Sequence, residues 1–338
     1  MLNITCISNF GFFDSPEFLK LSLHLSAATS TPIYLLGVNC ILYKTPKVIE
    51  SVKWYLFALH IWITAFDYSL SLLLTPMVFF PQLAWIPYGV LRLLGVPPVV
   101  QYGILLLTTS YMMISTFSIY ENRFFIVCDF RWKDKWEVLR PWYLFLHYLV
   151  GSLWILPEFF MVPEQETARI LVFQNLPCLP VSLYQEEVFV PAIDLSYHLL
   201  LITILTSIVG LEVDFFVVCL LWNAKQQLKS KRMSPTTYQL QKKFLFALVL
   251  QTVIPAVMLS IPFTGMQVVF QYGSGVRSQA LLNLGTLVIK THGPISTVIM
   301  ILVHRPYRVA VGEMIMGRGS SRTVPVSKTL KFSVVSMS

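Results

Sequence analysis

The sequence predicts an all-α membrane protein: a seven-transmembrane helix bundle with its N-terminus outside and its C-terminus in the cytoplasm. Three observations carry that prediction. The chain of 338 residues is 55% hydrophobic but only 12% charged, about half the charged share of ordinary soluble proteins. Long apolar runs recur at lengths that suit helices crossing a bilayer. The basic residues gather in alternate connectors between those runs.

The run that sets the pattern is 98–120, PVVQYGILLLTTSYMMISTFSIY, 23 residues without a charge. At about 1.5 Å per residue it crosses the roughly 30 Å hydrocarbon core of a membrane. Before it come span one at 21–43, with Pro32 inside, and span two at 54–80, anchored by Trp54 and Tyr55 and carrying one charge, Asp67. The stretch 81–97, rich in Pro and Gly, reads as an ordered interfacial loop. Span four covers 141–163, and a polar loop follows from Glu164 to Asp194. Spans five, six and seven fall at 195–222, 244–270 and 280–303, with Pro255 and Pro262 interrupting the sixth. Residues 1–310 form the bundle, and 311–338 are expected to be a flexible cytoplasmic tail. The first twenty residues lack a basic start and a cleavable apolar core, so span one is expected to act as the targeting signal.

Charge fixes the orientation. Of 25 Lys and Arg, 20 lie in the connectors after spans one, three and five and in the tail, while four lie on the other side and Lys290 sits inside span seven. That asymmetry is a positive-inside signal. It accounts for the net charge of +8 by membrane topology, with no basic patch for nucleic acid. On the outer side, Asn3-Ile4-Thr5 is a glycosylation sequon. Cys6 and Cys178 are the two outer cysteines, and spacing alone leaves open whether they pair. No spacing of Cys and His suggests a metal, and no cofactor is implied.

Five charges lie within the spans: Asp67, Glu158, Glu212, Asp214 and Lys290. Each costs about 2.5 to 3.5 kcal/mol at the bilayer centre, so each is expected to have a partner or a task. Lys290 lies about 15 Å from the outer end of span seven, and Asp67 about 20 Å from the inner end of span two, so both fall near the midplane. A buried ion pair that locks two helices is the expected arrangement; a ligand-binding or proton-linked role and a Schiff-base lysine are the alternatives. Glu212 and Asp214, two apart on a helix, point about 200° away from each other and cannot form a paired-acid site. His60, His147, His198 and His292 each stand alone in the sequence and read as helix-packing residues. No protease, hydrolase or paired-aspartate motif is present, which argues against an enzyme. The topology leaves a receptor, or a transporter or ligand-gated channel; no repeat between the halves favours the transporter.

The residues also carry a family likeness. TPKVIESVKW, HIWITAFDYSLSLLLTP, GVLRLLGVPPVVQY, YENRF, QKKFLFALVLQTVIP and THGPISTVIMILVHRPYR, in that order, resemble the nematode seven-transmembrane chemoreceptors of serpentine receptor class h. The resemblance implies a chemosensory receptor in the plasma membrane of sensory neurons, in the cilium, that detects a small organic odorant and signals to a heterotrimeric G protein. It implies that Glu121 and Arg123, with Asn122 between them, act as the acid and arginine pair at the inner end of span three. Arg123 would be held by Glu121 or a nearby group and released on activation. Pro306, Tyr307 and Arg308 follow span seven as an inner-end motif. Two features depart from the wider receptor pattern: Gly293 rather than Asn precedes Pro294, and no Cys stands at the outer end of span three.

Overall fold

Ser15 caps the first long helix, α1 (Pro16–Tyr43): its hydroxyl accepts from the Phe18 amide at 3.1 Å, and Pro16 occupies a first-turn position whose N–H has no helical partner. The computed structural model describes residues 10–45, 50–79, 84–175, 180–194, 196–230, 234–272 and 279–316. Asn3, Cys6, Cys178 and the tail beyond 316 lie outside the described residues. Pro32 is carried inside α1, and the hydroxyls of Thr29, Ser30 and Thr31 around it donate to carbonyls three or four residues earlier.

α2 (Glu50–Tyr68) opens into one wide turn over Ser69–Leu74, where the Thr75 amide reaches back five residues to the Leu70 carbonyl at 3.1 Å. Thr75 then adopts a left-handed backbone with φ 43, and Pro76 stops further helical bonding. The chain continues as an antiparallel hairpin, β1 (Pro76–Phe79) and β2 (Ala84–Pro87), with Met77 opposite Ile86. The second span therefore ends at Leu74, not at residue 80, and part of the expected loop is a strand. Apolar residues such as Met77, Val78 and Phe79 extend a hydrophobic run whatever their backbone conformation, so hydropathy alone overshoots. Gly89 closes over the end of this helix, its amide donating to the Leu74 carbonyl at 2.8 Å; a β-carbon there would collide with the Leu73 backbone.

After a single turn, α3 (Val90–Leu93), come α4 (Pro98–Val127), α5 (Lys133–Leu153) and its near-continuation α6 (Ile155–Phe160). The segment 164–194, expected as a loop, folds in part into α7 (Gln165–Asn175) and α8 (Val181–Tyr184). It is stitched to the hairpin. Trp85 and Phe189 exchange two backbone hydrogen bonds of 3.0 and 2.9 Å, Gln165 bonds both ways with the Val190 backbone, and Arg92 pairs with Glu186 at 2.7 Å. Beneath this cap Leu19 and Leu23 of α1 pack with Met77, Ile86, Ala168 and Val188.

The remaining helices are α9 (Ser196–Lys229), α10 (Pro235–Tyr272), α11 (Gln279–Val303) and α12 (Arg305–Ile315). Among the described residues, six helices are long and apolar enough to cross a membrane; the remaining expected span lies in α10, whose apolar stretch Leu248–Pro262 is shorter. The membrane-length windows of α4 and α11 are each 50% buried, against 11% for the α5–α6 segment and 17% for α9. So α4 and α11 form the axis, and α5 and α9 turn Leu146, Leu153, Ile208 and Leu211 outward. The chain is a multi-pass helical bundle with a cap at one end and its basic connectors at the other.

Two boundaries move in consequence. α4 runs on to Val127, which puts Glu121, Asn122 and Arg123 inside its last turns instead of beyond its end. α12 runs to Ile315, across the division expected at residue 311.

Candidate functional site

Polar side chains in this bundle form clusters at three depths. Midway, α1, α2 and α11 meet around Asp67, whose side chain is fully buried. The Tyr34 hydroxyl donates to Asp67 Oδ2, His292 Nδ1 lies 3.3 Å from Oδ1, and Lys290 Nζ stands 4.0 Å from Oδ2. Lys290, also fully buried, donates to the Ser30 hydroxyl at 2.6 Å and the Ser26 carbonyl at 3.1 Å, so most of its hydrogen bonding goes to α1. The three helices approach this closely because residue 293 is glycine: a β-carbon there would overlap Asp67 Oδ2 and the Tyr34 hydroxyl. The space that a side chain at residue 293 would need is thus filled by Asp67 itself.

At the basic end, Glu121 is fully buried and takes a salt bridge from Arg140 Nε, 2.9 Å to Oε1 and 2.7 Å to Oε2. Trp136 Nε1 adds a bond of 2.9 Å to Oε1. The other arm of Arg140 donates to Asn122 Oδ1 at 2.6 Å and the Tyr55 hydroxyl at 2.8 Å, and Asn122 donates to the Ser51 carbonyl of α2 at 3.2 Å. Glu121, one of the groups expected to hold Arg123, is thus paired with Arg140. Residues two apart on a helix point about 200° away from each other, so the acid faces α5 and the half-buried Arg123 side chain leaves α4 in another direction. Tyr307 is fully buried and its hydroxyl meets Thr45 at 2.8 Å, while Pro306 sits in the first turn of α12 and Arg308 donates to the Leu302 carbonyl at 2.7 Å. Tyr120 joins α4 to Thr252 of α10 at 2.8 Å.

Toward the capped end, Glu158 Oε2 accepts from the Tyr102 hydroxyl at 3.1 Å and lies 3.0 Å from His198 Nε2. Its other oxygen, Oε1, is buried and has no hydrogen-bond partner among the described residues. Between this level and the basic end, Tyr143 and His147 of α5 both reach Glu212 of α9, at 2.7 and 3.1 Å, while Asp214 is exposed on a different side of α9. His147, expected as a packing residue, is thus a carboxylate partner, and His198, expected likewise, lies beside Glu158.

A family model described as "Serpentine type 7TM GPCR chemoreceptor Srh" matches residues 14–317, which is the whole bundle. The chain belongs to the Srh family. Serpentine receptor class H-72 of Caenorhabditis elegans is similar to it, 27% identical over 327 residues that cover 96% of this chain and 93% of that relative. Srh proteins are serpentine chemoreceptors, a receptor class rather than a catalytic one, and among the described residues no cluster of three or more His, Cys, Asp or Glu is arranged to hold a metal.

Three features of this Srh chain were not readable from the sequence. Arg140 and Tyr55 complete the Glu121 cluster, but which face of α5 meets α4 is set by tertiary contact. Tyr34 and His292 join Asp67 for the same reason; counting residues gives depth and not azimuth. The two His–Glu pairs join histidines and acids 65 and 40 positions apart or so, and the available signal was only that four such residues lie in lipid-crossing helices, where polar groups seek one another.

Proposed function

We propose that this chain crosses the plasma membrane seven times with its capped end outside, binds a small organic odorant beneath the cap, and signals through a heterotrimeric G protein at the basic end, in a sensory cilium. The observation that carries the reading is the match of residues 14–317 to a chemoreceptor family. The concentration of Lys and Arg at the opposite end from the cap supports the orientation. α10 supplies the remaining crossing. Glu158 supports a ligand level near the cap: a buried carboxylate oxygen with no partner among the described residues suits a hydrogen-bond donor on a guest. At the other end, the clamp on Arg140 fixes α2, α4 and α5 together, and Arg123 is assigned to contact with the G protein. Asp67 and Lys290 hold α2 and α11 in register, Pro306, Tyr307 and Arg308 begin the helix that follows α11, and Asn3 carries glycan.

The test is a panel of small odorants applied to cells that express the receptor, with G-protein activation as readout. Arg123→Ala is expected to lower ligand-dependent activation about tenfold or more while surface expression is retained, a loss of about 1.4 kcal/mol or greater in coupling. Substrate flux in liposomes that hold this chain and no G protein would overturn the reading in favour of a transporter or channel.

A further inference from the structure

α5 and α9 both pack chiefly on α4. Between them, in the half of the bundle nearer the basic end, lies a cavity of about 390 Å³. That volume falls within the range of small-molecule sites, which run from about 300 to 1,000 Å³. Phe124, Phe130, Phe216, Trp136 and Tyr143 line it. Leu211 and Phe215, both more than half exposed, stand at the mouth on the outward surface of α9. The chamber therefore opens sideways, toward lipid, and not toward the cap.

Among the described residues, one charged group lines this chamber. Glu212 lines it, held by the Tyr143 hydroxyl at 2.7 Å and by His147 Nε2 at 3.1 Å from each carboxylate oxygen. A carboxylate in a membrane helix is costly unless it is paired, and here it is fixed at the wall of a space whose other surfaces are aromatic. Ring faces carry negative quadrupole potential and attract cations, most strongly those whose hydration is weak. Glu212 already accepts hydrogen bonds from two donors, one of them a His147 ring whose other nitrogen faces the Tyr143 carbonyl at 2.8 Å, so the rings supply most of the attraction and the carboxylate adds to it.

We infer that this cavity is a second binding site, reached through the membrane, for a small apolar molecule that carries a quaternary or protonated amine. The site is separate from the odorant level near Glu158 and does not rest on G-protein coupling. Its wall residue Trp136 donates to Glu121, so a guest in the chamber touches the ring that braces the Arg140 clamp.

The experiment uses the full chain in lipid nanodiscs of phosphatidylglycerol, which has no ammonium headgroup, and measures binding of labelled benzyltrimethylammonium by equilibrium dialysis. Saturable binding at one site is expected. The neutral carbon isostere neopentylbenzene is expected to compete about tenfold more weakly, and Glu212→Gln to weaken binding by a similar factor. Leu211→Trp, which fills the mouth, is expected to abolish it. Equal competition by the neutral isostere, or unchanged binding in both variants, would sink the assignment. Should Glu212→Gln fail to fold, the probe pair on the unmodified chain and the Leu211→Trp variant still decide. Repeating the measurement in phosphatidylcholine discs separates sources: binding that persists supports a small-molecule site, and binding lost there shows a lipid headgroup in the chamber and overturns it.

Discussion

On the α1–α2–α11 side, Asp67 has Tyr34, His292 and Lys290 around it, and the helices close until a glycine is all that fits at residue 293. On the α4–α5–α9 side, Glu212 also has two partners, Tyr143 and His147, but it stands beside about 390 Å³ of unfilled space. The chemistry is alike and the room is not. A carboxylate closed in by its partners at a glycine contact becomes a fixed joint, whereas one propped beside an open space among aromatic rings stays within reach of something else. Backbone proximity, set by Gly293 in the first case and by Phe124, Phe130 and Phe216 in the second, decides which of the two a buried acid becomes.

The contrast can be tested by removing charge on the closed side. Lys290→Met leaves Asp67 buried without its ammonium, and is expected to lower stability by about 3 to 5 kcal/mol. Combining it with Asp67→Asn should restore more than half of the loss; thermal unfolding of the detergent-solubilised protein measures both. If Lys290→Met melts like the unmodified chain, the joint is not one. A β-carbon gives the next comparison. Gly293→Ala is expected to cost about 1 to 3 kcal/mol by overpacking, while Gly210→Ala on α9, where an added carbon meets nothing within 4 Å, should leave stability unchanged or raise it by up to about 1 kcal/mol through helix propensity. On the open side, Glu212→Gln keeps the shape and is expected to cost about 1 kcal/mol or less, since both it and His147 are partly exposed. A cost near that of Lys290→Met would erase the distinction between the two sides.

Much of this arrangement was legible before any coordinates. Depth along a helix follows from residue number, so Asp67 and Lys290 could be placed at one level from spacing alone, and the basic connectors marked one end of the bundle. Rotation about the helix axis does not follow in the same way. The apolar runs of the central helices give no clear stripe from which to read it, so Tyr34, Arg140 and His198 could not be matched to their acids. The geometry of residues two apart does separate Glu121 from Arg123, and the same reasoning that parted Glu212 from Asp214 applies to them. The hairpin escaped notice because strand residues 76–79 are as apolar as the helix they follow, and the cap over it because Trp85 and Phe189, which join it, are 104 positions apart in the chain.

Arg140 has a consequence for movement. A single guanidinium is shared among side chains of α2 and α4 while rooted in α5, so those three cylinders turn as one block at that end.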